Sequence, residues 1–189
     1  MLNQIRSAIV LTLILTVVTG LLYPLAMTGI GQTLFAAQAN SSQIKRGDTI
    51  VGSSLIGQNF TSDIYFWPRP SATSPDPYNA AASSGSNLGP TSAALVERVK
   101  TSVESFKSAG VTTAIPADAV TSSASGIDPD ISVDYAMLQV ARVAQARGLD
   151  PEAVSQQVKA NTRQAVLGIF GEVGVNVLAL NLALDDLKK

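Results

Sequence analysis

From Ser7 to Met27 the chain reads SAIVLTLILTVVTGLLYPLAM, a run without a single charge. At 1.5 Å per residue this run spans roughly 30 Å as a helix, enough to cross a hydrocarbon core. A helix also satisfies its own N–H and C=O groups, as lipid requires. Thr12, Thr16 and Thr19 fit because a threonine hydroxyl can bond back to the preceding turn. Gly20 and Pro24 predict a kink or a close helix contact, and Tyr23 sits where an interfacial aromatic belongs. A cleaved signal peptide is the competing reading, since Ala37-Gln38-Ala39 has the A-x-A form of a cleavage site. That site lies well beyond the apolar core, so an uncleaved anchor fits better. Arg6 flanks one end closely, whereas Lys45 and Arg46 lie far from the other. Positive charge near a span marks its cytoplasmic side, so residues 1–6 are expected in the cytoplasm. The soluble part is then expected outside it, in the periplasm of a cell with two membranes.

After a connecting segment, 28–43, the pattern changes. Residues 44–189 are expected to form one soluble α+β domain. Gly47-Asp48 signals a turn, and Thr49–Val51, Ser54–Gly57 and Phe60–Trp67 read as short strands. Pro68–Pro90 holds five prolines around Ser83-Ser84-Gly85-Ser86-Asn87-Leu88-Gly89 and reads as a long loop. Loops of this length are usually functional or disordered. The aromatics Tyr65, Phe66, Trp67 and Tyr78 argue against a flexible linker. A helix follows, capped by Thr91 or Ser92, with Leu95, Val99, Val103 and Phe106 on one face and Gly110 past its end. Ala114–Val120 reads as extended and Ser122–Ser132 as a second turn-rich loop. Ser132 caps another helix, with Met137, Val140 and Ala144 on one side and Gly148 as its stop. Asp150-Pro151 opens a third helix. Gly168–Gly174 is a break. The apolar run from Val175 to Leu184 reads either as a buried strand or as a helix capped by Asn176.

Composition narrows the chemistry. Cys and His are both absent, which excludes Cys/His zinc patterns, a thiol nucleophile and an imidazole base. The net charge is −1, so no basic face points to nucleic acid. Neither the G-x-x-x-x-G-K-[ST] phosphate loop nor an Asp-Lys-Thr-Gly phosphorylation sequence occurs. Ser83–Gly89 could offer backbone N–H groups to an anion, but it lacks a lysine and a surface turn is the simpler reading. Asp128, Asp130 and Asp134 suit the positive end of a helix rather than a calcium loop. Arg69, between two prolines, can fork onto a partner's carboxylate or carbonyl, or form an internal salt bridge. Asn79 and Asn87 organise turns or dock a partner. Gln139 and Arg142 are expected on a solvated helix face. An independent enzyme is not expected.

The chain carries a set of short blocks in a particular order. Tyr23-Pro24 closes the span, followed by Gly52-Ser53, Leu55-Ile56-Gly57-Gln58 and Tyr65-Phe66. Then come Arg69-Pro70-Ser71-Ala72, Tyr78-Asn79 and Ala82–Leu88. After these stand Ser122–Asp128, Gln139-Val140 with Arg142-Val143-Ala144, Val175–Leu178 and Leu180–Asp185. In this order, from end to end, the chain resembles the C subunits of bacterial Kdp-type potassium-transporting ATPases. It departs from their pattern at Trp67-Pro68, Asp130 and Val173. The resemblance implies an accessory, non-catalytic subunit in the cell inner membrane, with no cofactor of its own. ATP and potassium would be handled by its partners: a potassium-channel-like A subunit, a P-type ATPase B subunit and a small F subunit. It further implies a catalytic chaperone that raises the ATP affinity of the pump subunit. Arg69, Ser71, Asn79, Ser84, Gly85, Asn87, Gln139 and Arg142 then become candidate contacts with a partner or ligand. A free-standing, membrane-anchored ligand-binding module is the alternative that this organisation leaves open.

Overall fold

A computed structural model describes residues 2–187, which divide into two compact units between Ile50 and Val51. The first unit is dominated by one long helical run, built from α1 (Leu2–Val17), a π-helical turn (Val18–Leu22) and α2 (Tyr23–Leu34). Gln4–Leu34 is long and apolar enough to cross a membrane, and none of its most apolar stretch is buried within the chain. The π turn contains Gly20 and stands just before Pro24, the two residues singled out in the sequence. Pro24 has no N–H to give, and the Tyr23 N–H reaches back five residues to Val18 C=O rather than four. Thr19 Oγ1 donates to Leu15 C=O at 2.7 Å, the back-bonding expected of a hydroxyl in an apolar helix. A short α3 (Ala36–Ala39) and a two-stranded ribbon of β1 (Gln43–Arg46) and β2 (Thr49–Ser53) carry the chain into the second unit.

The second unit mixes helices with a small sheet, as its α+β pattern predicts. In order it contains α4 (Ala93–Ser108), β3 (Asp130–Ile131), α5 (Val133–Arg147), α6 (Pro151–Ala160), β4 (Thr162–Arg163), β5 (Gly174–Asn176) and α7 (Val177–Leu187). The strands form an antiparallel sheet in the order β3-β5-β4, with Ile131 and Thr162 both opposite Val175. Helix starts follow the capping residues. Ser132 Oγ accepts from Tyr135 N–H at 3.0 Å, and Asp150 Oδ1 accepts from Glu152 N–H at 2.9 Å. Gly148 ends α5 at φ 65°, a left-handed conformation that costs glycine little. The ambiguous run at Val175 resolves into both readings. Gly174–Asn176 is a buried strand, and Asn176 Oδ1 then caps α7 by accepting from Ala179 N–H at 3.0 Å.

The core is built from Val143 of α5, Val154 and Val158 of α6, Val175 of β5, Leu180 and Leu184 of α7, and Phe66 from the loop region. Burying a side chain such as Phe66 completely stabilises the fold by about 2–3 kcal/mol. Two of the expected strands do not form. Ser54–Gly57 is a turn closed by a bridge between Ser53 and Ile56, and residues 60–67 are irregular. The expected apolar side of α5 holds at Val140 and Ala144 but not at Met137. Its buried side is Tyr135, Ala136, Gln139, Val140, Val143, Ala144 and Arg147, while Met137 is exposed.

Candidate functional site

Residues 60–67 fail to become a strand because side chains occupy the place a neighbouring strand would take. Asn181 lies in the apolar run of α7 and is 1% exposed. Its Oδ1 accepts from Phe66 N–H at 2.8 Å, and its Nδ2 donates to Phe66 C=O at 3.1 Å. Gln139 of α5, 3% exposed, treats the next residue in the same way. Its Oε1 accepts from Trp67 N–H at 2.7 Å and its Nε2 donates to Trp67 C=O at 3.1 Å. Each primary amide thus offers one backbone residue the donor and acceptor that a sheet partner would supply. The geometry overturns the expectation of a solvated face at Gln139.

Two arginines complete the clamp. Arg142 donates to Asp63 C=O at 2.7 Å, to Tyr65 C=O at 3.1 Å and to Gln139 Oε1 at 2.7 Å. Its guanidinium lies 3.6 Å from the centre of the Trp67 ring, a cation–π stack. Burial pushes the Arg142 pKa down from its ordinary value, and the Asp63 carboxylate 3.7 Å away works in the opposite direction. Arg147 donates to Ile64 C=O and pairs with Asp185 at 2.9 Å. The strap from Asp63 to Trp67 is therefore held almost wholly by side chains of α5 and α7. A cleft of about 800 Å³ adjoins it, lined among others by Trp67, Phe106, Leu138, Arg142 and Gln145.

The second cluster joins the two small-residue loops. Ser84 N–H donates to Ser125 C=O at 3.0 Å, and Ser83 Oγ donates to the same carbonyl at 2.9 Å. A Cβ on Gly85 would stand 2.8 Å from Ala124 O, and one on Gly126 would stand 2.5 Å from Ser84 O. Gly126 also has φ +68°. Side chains at either position would force the loops apart. Ser71 Oγ donates to Gly126 C=O at 2.6 Å and accepts from Tyr78 N–H at 3.0 Å. Tyr78 donates to Arg69 C=O at 2.7 Å, and burial pushes its phenol above the ordinary tyrosine range. Burial likewise raises Tyr135, to about 12, and its hydroxyl points at Pro68 C=O.

Each candidate residue now has a place. Arg69 takes the internal option, pairing with Asp128 at 3.0 Å. Asn79 organises a turn: its Oδ1 accepts from Ala81 N–H at 3.0 Å and caps a 3-10 turn over Ala80–Ala82. Ser71, Ser84 and Gly85 belong to the joined loops, and Gln139 and Arg142 to the clamp. Asn87 stands apart, exposed, with φ 52°. Asp128 Oδ1 accepts from Asp130 N–H at 3.0 Å, and Asp130 also pairs with Arg163. Among the described residues, no group of three or more acidic side chains could hold a metal ion. Sequence reading missed Asn181, Arg147 and Asp185. A lone Asn within the apolar Val177–Leu184 run was the available signal for the first. Arg147 sits on an apolar helix face, a signal legible only once that face is known. Chemically, the serines and amides here donate to and accept from backbone groups, an arrangement that fixes shape.

A family model described as the K+-transporting ATPase c chain matches residues 5–186. The chain is 56% identical to the potassium-transporting ATPase KdpC subunit of Bradyrhizobium diazoefficiens, over 98% of both chains. It is 55% identical to the protein of the same name from Variovorax paradoxus, covering 97% of this chain and 96% of that one. The like-named protein of Methylorubrum extorquens is 51% identical over the full length of both.

Proposed function

The chain belongs to the KdpC family, the c chains of K+-transporting ATPases, and on that premise we propose that it is a non-catalytic accessory subunit. In this reading it binds no cofactor of its own, and ATP and potassium are handled by the A, B and F subunits. The helix of Gln4–Leu34 anchors it in the inner membrane, N-terminus inward, with the second unit outside. The carrying observation is that the polar side chains near the strap are spent on the chain's own backbone. Gln139 and Asn181 each hold one residue's N–H and C=O, and Arg142 holds two carbonyls. Such groups build a rigid surface rather than turn over a substrate.

As a catalytic chaperone the subunit would raise the ATP affinity of the pump without touching nucleotide. A rigid accessory chain changes a partner's affinity only if it contacts two of the partner's states unequally. The test is ATP affinity measured on matched intact assemblies with and without this chain. A higher affinity in its presence is expected. Equal affinity would sink the chaperone role, and failure of this chain to co-purify with any other subunit in mild detergent would favour a free-standing module.

A further inference from the structure

The A-x-A triplet Ala37-Gln38-Ala39 follows the span directly, because the apolar helix runs on to Leu34. The membrane endopeptidases that cut leader segments read small residues at the first and third places before the cut, which here falls between Ala39 and Asn40. Nothing in the chain covers that bond, since Ala37, Gln38, Ala39 and Asn40 are all exposed. Conformation withholds it instead. A protease groove takes its substrate as an extended strand bonded through the main chain, and a closed turn has none of those groups to offer. Here Ala36–Ala39 is helical, and the turn behind it occupies the main-chain acceptors of the motif. Asn40 N–H donates to Ala36 C=O at 3.1 Å, Ser42 N–H to Ala37 C=O at 2.9 Å and Ser41 N–H to Gln38 C=O at 3.1 Å. The Asn40 side chain is a second fastening. Its Nδ2 donates to Ala36 C=O at 2.7 Å and to Gln32 Oε1 at 3.0 Å, tying the residue after the bond back to α2. Ser41 and Ser42 hold φ at 67° and 46°, a left-handed pair that residues other than glycine keep only where their surroundings over-determine it.

We propose that Ala39–Asn40 is a masked processing site, and that the turn latched by Asn40 keeps the second unit joined to its anchor. Hydrolysis there adds water across the peptide bond, leaving a carboxylate on Ala39 and an amine on Asn40, and frees residues 40–189 from the membrane. The enzyme class is an outward-facing membrane endopeptidase selective for small side chains. The inference therefore rests on the orientation given above, with the second unit outside. Span length is the rival account. A cleaved leader has an apolar run of about 7–15 residues. Gln4–Leu34 has 31. Length would protect the bond whatever α3 does, whereas the latch requires that opening the turn is enough for cleavage.

The test is Ser41→Pro in the full chain, expressed in cells. Proline fixes φ at about −65° and has no N–H, so it cannot keep the turn, while the A-x-A triplet and Asn40 stay as they are. Clipping tracks the population of the opened segment, so the fraction recovered as a fragment beginning at residue 40 should rise at least about tenfold. Gln32→Ala combined with Asn40→Ala removes only the side-chain fastening and should raise it by less. Adding Ala39→Phe to Ser41→Pro should return the chain to full length. Trp67 emission should match the unaltered chain throughout, because every change lies in the first unit. A Ser41→Pro chain as intact as the unaltered one would overturn the proposal in favour of span length. An unaltered chain already cut after Ala39, or clipping that survives Ala39→Phe, would overturn it too. Asp48→Cys supplies the one thiol in a chain without cysteine, and a membrane-impermeant maleimide applied to intact spheroplasts then reads the side. Labelling only after lysis means that the orientation itself fails and the proposal with it. Labelling of intact spheroplasts with no clipping of Ser41→Pro means that only the latch fails.

Discussion

The helix of residues 2–34 and the strap of residues 63–67 meet the same demand by opposite means. Every residue carries an N–H and a C=O that must be paired once water is removed. The helix pairs them within itself, so its side chains are free to be merely apolar. The strap pairs them with Gln139, Arg142, Arg147 and Asn181, whose identity and position are both required. The first region should therefore tolerate substitution and the second should not. Trp67 is the only tryptophan and sits in the strap, so its fluorescence reports directly on the clamp.

The strongest challenge to this contrast is Asn181→Ala, which leaves the buried Phe66 N–H and C=O without partners. A loss of about 3–4 kcal/mol is expected, read as a lower denaturant midpoint of the full chain in detergent. A loss below about 1 kcal/mol would mean that water or another group replaces the amide. Next comes Gly126→Ala, where positive φ and the contact with Ser84 act together. About 2–3 kcal/mol should be lost, with the small-residue loops separating.

Alkaline titration sharpens the contrast further. Burial raises the Tyr135 phenol from 10.0 to about 12, so the folded state holds the proton more tightly than the unfolded chain does. Its contribution is whole below pH 10 and is lost as the pH rises through about 12. No more than about 3 kcal/mol is involved. Tyr78 is raised as well, so Tyr135→Phe should reduce the alkaline loss without abolishing it. Unfolding midpoints followed across that range, in wild type and variant, give the two slopes. The smallest effect is expected in the anchor. Leu13→Val should leave both membrane insertion and the Trp67 midpoint unchanged within about 0.5 kcal/mol. A larger shift would mean that the helix has a side-chain partner of its own.

Much of this was legible in the residue pattern. Ser132, Asp150 and Asn176 mark helix starts and Gly148 a helix stop, because capping is local chemistry between residues two to four apart. The candidate site was legible only in part. Arg69, Ser71, Asn79 and Gln139 could be singled out, but not what they touch. Residues 60–67 carry strand-like aromatics, yet no strand forms, because amides from α5 and α7 take the partner's place.

By itself the sequence determined the apolar span, the starts of α5 and α6 and the family, since each rests on neighbours in the chain or on the order of motifs. Only the tertiary structure decided that Gln139 and Asn181 lie inside and that residues 63–67 form a strap. The reason is distance along the chain. The partner of Asn181 is a backbone group 115 residues away, and a buried amide stabilises the fold only when that group is beside it.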